Sequence, residues 1–136
     1  MKIEIIQPND WEEIRELFVR AGLVLSDLET EEQEFKDMIS RNPFSCFKAV
    51  EQNKIIGTVF GTWNGRRAWI YRLAVDPAFQ RRGLGSTLLD KASETLLERG
   101  ATKVILGVGN HNLAVSAFYE KNGYKVMDDA VLFEKS

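Results

Sequence analysis

Residues 73–86 read Leu73-Ala74-Val75-Asp76-Pro77-Ala78-Phe79-Gln80-Arg81-Arg82-Gly83-Leu84-Gly85-Ser86. The apolar run from Trp69 to Val75 predicts a buried strand. Asp76-Pro77 ends that strand, because proline cannot donate to a sheet ladder and fixes its own φ. A helix is predicted to begin at about Gly83. Its apolar residues recur at helical spacing, namely Leu84, Leu88, Ala92 and Leu96.

The junction between this strand and this helix has the chemistry of an anion site. Gly83 and Gly85 let a ligand approach the backbone closely, and the N–H groups of a first helical turn have no intrahelical partner. Together with the helix dipole and the side chains of Arg81 and Arg82, those donors favour a phosphate or pyrophosphate. The alternative is an ordinary helix start with a solvated arginine pair.

Two common phosphate-binding loops do not match this junction. A Walker A loop needs a lysine directly after its second glycine, but Ser86 follows Gly85. A dinucleotide fingerprint would place its third glycine at Leu88. The pattern that does match is Gln/Arg-x-x-Gly-x-Gly/Ala, which runs here from Gln80 to Gly85.

A second motif lies at residues 112–124, which read Asn112-Leu113-Ala114-Val115-Ser116-Ala117-Phe118-Tyr119-Glu120-Lys121-Asn122-Gly123-Tyr124. It resembles the segment Asn-x-x-Ala-x-x-x-Tyr-Glu-Lys-x-Gly-Phe/Tyr of the GNAT family of N-acetyltransferases, although the small residue falls one place early, at Ala114. The loop from Gln80 to Gly85 resembles the acetyl-CoA pyrophosphate loop of the same family. The two motifs stand in the family's order, and the resemblance covers essentially the whole chain.

The resemblance implies a fold, and the order of predicted elements agrees with it. That order is β-α-α-β-β-β-α-β-α-β-β, with small final strands at Tyr124–Met127 and Val131–Glu134. We expect a single α/β (mixed α+β) domain over residues 1–136 with the GNAT fold. Its central sheet is mixed and mostly antiparallel, its middle strands are splayed, and helices cover both faces.

Acetyl-CoA is the co-substrate that the resemblance implies. Backbone groups of Leu73 and Val75 would pair with the pantetheine amides as an added strand does. Backbone N–H groups of the glycine loop would hold the pyrophosphate, and Asn112 would hydrogen-bond the cofactor arm. The implied cofactor-binding residues are Leu73, Ala74, Val75, Gln80, Arg81, Arg82, Gly83, Leu84, Gly85, Ser86 and Asn112.

Tyr119 is the catalytic residue that the resemblance implies. The acceptor amine attacks the thioester directly, backbone N–H groups stabilise the developing oxyanion, and a phenol can protonate or hold the departing sulfur. The alternative for Tyr119 is a place in a core-facing stripe with Val115 and Phe118.

The acceptor is predicted to be a primary amine, either a small molecule or an amino acid. Ribosomal-protein alanine N-acetyltransferases carry a proton-accepting glutamate five residues before the motif asparagine, and Gly107 stands there in this chain. A peptide N-terminus is therefore the alternative acceptor. A non-catalytic acyl-CoA sensor is the alternative from a different class of protein, since the residues name no general base.

Composition and charge bound the remaining possibilities. A net charge of −2 argues against a general nucleic-acid binder. No apolar run approaches the ~18 residues of a membrane span, and the N-terminus enters a strand rather than a signal peptide. A single cysteine, Cys46, suits a reducing compartment, so we expect a cytoplasmic protein. Many members of the family dimerise, which leaves a homodimer open.

Several other residues could have either a structural role or a functional one. With one histidine and one cysteine, no metal-ligand cluster is expected. His111 could act as a base, but a solvated loop position is favoured, and Cys46 is expected to be a buried structural thiol. An acidic run near the start of the second predicted helix could attract a cationic amine or simply be a solvated helix start. It comprises Asp27, Glu29, Glu31, Glu32 and Glu34.

Overall fold

A computed structural model describes residues 1–23, 25, 27–108 and 113–136 of the chain. The strands of this described part are β1 (Lys2–Ile5), β2 (Cys46–Glu51), β3 (Lys54–Trp63), β4 (Ala68–Val75) and β5 (Val104–Leu106). Its α-helices are α1 (Trp11–Arg20), α2 (Leu28–Arg41), α3 (Leu84–Glu98) and α4 (Leu113–Lys121). None of these helices is both long enough and apolar enough to cross a membrane.

The five strands form one sheet in the order β1-β2-β3-β4-β5. The first four pair antiparallel, while β4 and β5 pair in parallel across the α3 connection. The parallel pairing covers only Ala68–Ile70 against Val104–Leu106, whereas β4 continues to Val75. The expected mixed, mostly antiparallel sheet with splayed middle strands is therefore confirmed.

Helices cover both faces of the sheet, as predicted, and each face has its own apolar core. On one face α3 packs against β2, β3 and β4 through Leu84, Leu88, Leu89, Ala92 and Leu96. On the other face α1 and α2 pack against the same strands through Trp11, Ile14, Leu17, Phe18, Phe35 and Ile39. Burial of this apolar area on both faces is the main force that holds the sheet between its helices.

A bulge in β4 changes which way its side chains point. The β3–β4 register shifts between Thr58 and Phe60, and Arg72 has φ +49°, a left-handed value that is uncommon for a residue with a side chain. Ala68 and Ile70 pack on the α3 side, but Ala74 packs on the α1–α2 side. One extra residue in a strand reverses the faces of all that follow, so strict alternation cannot describe β4.

Helix α2 begins earlier than its sequence indicates. The pattern Thr30-Glu31-Glu32-Gln33 predicts a capping box with Thr30 as N-cap, and this prediction was wrong. Asp27 is the N-cap, and its Oδ1 accepts a hydrogen bond from the Thr30 N–H at 3.0 Å. Aspartate caps helices as well as threonine does, so the stronger local competitor lies one turn upstream.

The two predicted final strands are absent from the structure. After α4, residues 122–136 form no helix or strand, and Val126, Val131, Leu132 and Phe133 are exposed. The segment from Lys103 to Val108 also predicts a buried strand, but β5 covers only Val104–Leu106. A strand needs a neighbour that takes its backbone hydrogen bonds, and alternation in a segment of four residues cannot supply that neighbour.

Asp76 ties the end of β4 to the other face of the sheet. Its buried carboxylate accepts hydrogen bonds from the Ala78 N–H at 2.9 Å and from Arg20 Nε at 3.0 Å, and Lys54 Nζ lies 3.6 Å away. The pKa of Asp76 lies below its ordinary value, mainly because of the hydrogen bond from the Ala78 N–H. Burial opposes this shift, and the hydrogen bond and charge of Arg20 add to it. Asp76 thereby fixes where the chain leaves the sheet.

Replacing Asp76 by Asn should lower the free energy of unfolding at pH 7 by about 2 kcal/mol, because charge-assisted hydrogen bonds are lost. A carboxylate with a depressed folded pKa stabilises fully above its unfolded pKa of about 3.9 and loses that contribution as the pH falls through the folded pKa. The difference in unfolding free energy between wild type and variant, measured in urea, should therefore begin to shrink below about pH 4 and vanish once the pH is below the folded pKa. The exposed Asp128→Asn is the control, and a pH-independent Asp76 difference would contradict this account.

Candidate active site

The loop between β4 and α3 leaves the start of α3 open. Gly83 is the N-cap with φ +78°, and within the described part of the chain no side chain caps the first turn of the helix. Arg81 also has a positive φ, +65°. Both arginines are exposed, and the Arg82 guanidinium lies over the Phe79 ring at 5.2 Å. The loop therefore presents unpaired donors and two cationic side chains to solvent.

The two glycines of this loop are required for different reasons. At Gly83 a Cβ would meet nothing within 4 Å, but the left-handed backbone disfavours any residue with a side chain. At Gly85 a Cβ would lie 3.3 Å from Cζ of Phe118, so a larger residue would push against α4. Gly83 shapes the loop, and Gly85 lets α3 and α4 approach each other.

A gap of about 320 Å³ separates β4 from β5 beyond their last paired residues. Leu73 of β4 borders one side, and Leu106 and Gly107 border the other. Tyr119 on α4 also lines the gap. The pKa of the Tyr119 phenol is raised above its ordinary value, mainly by burial and to a smaller extent by the neighbouring Tyr124. The phenol is therefore neutral and able to donate a proton over the whole physiological range.

A second cavity, of about 350 Å³, lies on the α1–α2 side of the sheet. Tyr71 and Arg72 line both cavities, so the bulged part of β4 is the wall between them. The Arg72 Nη2 donates to both carboxylate oxygens of Glu31, at 2.9 and 3.0 Å. Thr58 Oγ1 donates to the Arg72 carbonyl at 3.1 Å. These contacts hold the strained residue in place.

The comparison with known proteins identifies the family. The sequence profile of the Acetyltransferase (GNAT) family matches residues 11–124. The chain belongs to the GNAT family of acetyltransferases. An acetyltransferase of Pectobacterium atrosepticum is 31% identical over 128 residues, covering 94% of this chain and 90% of that protein. An acetyltransferase of Sodalis glossinidius is 29% identical over 135 residues, covering 99% and 94%.

Solved structures agree on the fold of this acetyltransferase. An aminoglycoside antibiotic 6'-N-acetyltransferase from Acinetobacter haemolyticus superposes with a TM-score of 0.81 at 18% identity, covering 100% of this chain and 99% of that one. At that identity the similarity shows the fold alone. The GNAT fold expected from the two sequence motifs is therefore confirmed.

The structure brings most of the predicted site residues of this GNAT protein to one region. Leu73 and Tyr119 line the gap, residues 80–83 form the loop that leads into α3, and residues 84–86 form the first turn of that helix. The Ala74 side chain, in contrast, is buried in the α1–α2 core, so only its backbone is available to a ligand. Asn112 and His111 lie outside the described residues.

Two residues of the site were not predicted as a pair. Glu31 appeared in the sequence only as part of an acidic run, and Arg72 gave no functional signal. They meet because the fold brings α2 to β4, and two residues 41 positions apart leave no local pattern in the sequence. A charged residue inside an otherwise apolar strand was the one available hint.

Cys46 takes no part in the chemistry of this site. Its thiol is buried, as predicted, and Sγ lies 3.6 Å from the Gly61 carbonyl oxygen. Burial raises its pKa to about 12, so the thiolate form needed for nucleophilic attack is not populated at neutral pH. Among the described residues, no group of His, Cys, Asp and Glu side chains could hold a metal ion.

Replacing Gly83 by Ala should lower the free energy of unfolding by about 1 kcal/mol, because a Cβ strains a left-handed backbone. Urea unfolding at pH 7 measures this change. Gly107→Ala is the matched control, since its φ is not in the left-handed range and its Cβ would meet nothing within 4 Å. Equal effects of the two substitutions would show that the Gly83 conformation is not what the loop requires.

Proposed function

We propose that this protein uses acetyl-CoA to acetylate a small primary amine by direct transfer. The observation that carries the proposal is the course of β4. Leu73 of β4 borders the gap, and eight residues link the end of β4 to the N-terminus of α3, where Gly83 offers no side-chain cap. A ligand with an extended amide-bearing arm and a pyrophosphate at its end matches this sequence of features.

The residues along this path fit acetyl-CoA. We expect the N–H groups from Arg81 to Ser86 to bind the pyrophosphate, with Arg81 and Arg82 adding charge. The backbone groups of Leu73 and Val75 would pair with the pantetheine amides. The Val75 carbonyl receives a long hydrogen bond of 3.4 Å from Gln80 Nε2, which a ligand N–H can replace. Asn112 is proposed to bind the cofactor arm.

Bound acetyl-CoA would supply an activated acyl group in the form of a thioester. The part of the chain that completes the transfer is Tyr119, whose neutral phenol can donate a proton to the leaving sulfur or hold it by a hydrogen bond. We expect backbone N–H groups of the splayed part of β4 to stabilise negative charge on the carbonyl oxygen. Direct transfer needs no nucleophile from the protein.

The proton of the acceptor amine is the remaining requirement, since only the uncharged amine attacks. Gly107 borders the gap and has no side chain, so the protein offers no carboxylate at the position where the ribosomal-protein alanine enzymes carry one. Deprotonation by solvent before attack is consistent with a small amine that diffuses into the site.

Reversing both loop charges, in Arg81→Glu/Arg82→Glu, should weaken acetyl-CoA binding roughly tenfold or more, because two favourable charges at the pyrophosphate become repulsive. Calorimetric titration of acetyl-CoA measures the change. Arg66→Glu/Arg67→Glu is the matched control, because it makes the same change in net charge in the β3–β4 turn. Absence of acetyl-CoA binding by the wild type would falsify the proposed co-substrate.

Removing the phenol, in Tyr119→Phe, should lower kcat roughly 100-fold and leave the acetyl-CoA Kd unchanged. Tyr124→Phe is the control, because the Tyr124 hydroxyl hydrogen-bonds with Ser93 and Tyr124 does not line the gap. A kcat equal to that of the wild type would remove Tyr119 from the mechanism and leave it as a packing residue.

The pH profile of the wild type follows from the same residue. The value of kcat/KM should rise with pH as the acceptor amine, with an ordinary pKa of about 10.4 for an alkylamine, loses its proton. A general acid is active below its own pKa, and that of Tyr119 is raised. The wild type should therefore show no fall caused by Tyr119 below about pH 10. A bell-shaped profile with its maximum near neutrality would contradict this assignment.

A further inference from the structure

We infer that the acceptor is a small monoamine with an apolar body and no carboxylate, bound in the second cavity. This inference rests on the proposed function and names the substrate class of that site. The cavity will be called the acceptor cavity; its lining residues include Phe18, Glu31, Glu34, Met38, Tyr71 and Arg72.

The position of the acceptor cavity suits an attacking amine. It lies on the α1–α2 side of β4, while the gap proposed for the acyl donor lies beside β4 toward β5. The two spaces share Tyr71 and Arg72, where the strand is bulged. An amine in the acceptor cavity would therefore reach the acyl donor beside Tyr71 and Arg72. Tyr71 is 47% exposed, and Glu34 is exposed, so the cavity opens to solvent beside them.

The walls of the acceptor cavity are aromatic and fixed. The rings of Trp11 and Phe35 are 5.2 Å apart, those of Phe35 and Phe60 are 6.0 Å apart, and those of Phe18 and Phe60 are 6.3 Å apart. Met38 completes the lining on α2. Interlocked rings of this kind are already packed before a ligand arrives and favour a ligand with an apolar surface.

The volume of the cavity limits the size of the acceptor. Pockets for small ligands commonly measure about 300–1,000 Å³, and this cavity is at the lower end of that range. It accommodates a single ring or a short branched chain. A three-ring aminoglycoside would not be enclosed, and its many hydroxyl groups would lose hydrogen bonds with water against aromatic walls.

The charge of the cavity selects against a carboxylate. Glu31 and Arg72 hold each other in a bidentate pair, which balances one negative and one positive charge. Glu34, one turn further along α2, adds a second carboxylate to the lining and forms no ion pair among the described residues. The cavity is therefore net negative. It favours an ammonium group, which aromatic faces also attract, and repels the carboxylate of an amino acid.

A matched pair of acceptors tests the inference. The release of coenzyme A is measured with 2-phenylethylamine and with L-phenylalanine, which differ only by the carboxylate. Spermidine, kanamycin and a short peptide with a free N-terminus complete the panel. We expect kcat/KM for 2-phenylethylamine to exceed that of every other acceptor by at least about tenfold. Equal or faster turnover of L-phenylalanine, kanamycin or the peptide would overturn the inference.

Substitutions in the cavity connect this preference to its residues. Glu34→Gln should raise KM for 2-phenylethylamine about fivefold without changing kcat, and the exposed Glu29→Gln should change neither. Glu34→Arg should reduce the preference for 2-phenylethylamine over L-phenylalanine, which a merely structural role of Glu34 cannot do. Met38→Trp should lower kcat/KM about tenfold by filling the cavity, with the acetyl-CoA Kd unchanged. An unaltered preference in all these variants would place the acceptor elsewhere.

The outcomes separate the two proposals. Acetyl-CoA binding with turnover of kanamycin or spermidine alone would leave the proposed function standing and overturn the acceptor class. Turnover of the peptide alone would overturn both, because a peptide is not a small amine. Acetyl-CoA binding without turnover of any amine in the panel would overturn both and favour a non-catalytic sensor. Failure to bind acetyl-CoA would also overturn both.

Discussion

The separation of β4 from β5 is the constraint on which the site depends. The two strands pair over three residues, and β4 then continues without β5 as far as Val75. Beyond Ile70, β5 supplies no partners to the backbone groups of β4 on that edge, and peptide groups without partners are costly. A gap bordered by such an edge is therefore a natural place for an extended ligand that can hydrogen-bond as a strand does.

Arg72 links this gap to the rest of the molecule. A left-handed backbone conformation at such a residue costs about 1–3 kcal/mol and persists only where the surroundings enforce it. Here the enforcing contacts come from three elements: Glu31 on α2, Thr58 on β3, and the Phe18 ring on α1, 5.5 Å from the guanidinium carbon. The helices on one face thus hold the wall between the two cavities. The packing of these helices therefore also determines the geometry of the site.

Local signals in the sequence explain both what could be predicted and what could not. The apolar spacing of the helices, the end of β4 at Asp76-Pro77 and the glycine loop each depend on residues a few positions apart. The structure has each of these features within a residue or two of its predicted position. The prediction of two final strands was wrong because a strand depends on a pairing partner elsewhere in the chain. The N-cap of α2 was wrong because two capping residues competed three positions apart.

The family, the order of the first nine elements and the loop that we propose for the pyrophosphate could be predicted from the amino-acid sequence alone. These follow from motifs and from chemistry that is local in the chain. Only the tertiary structure decided that β4 is bulged, that Glu31 pairs with Arg72 across 41 positions, and that an aromatic cavity of about 350 Å³ meets the gap at Tyr71. Cavities and bidentate pairs arise from contacts between distant segments, and no short pattern of residues encodes their shape or charge.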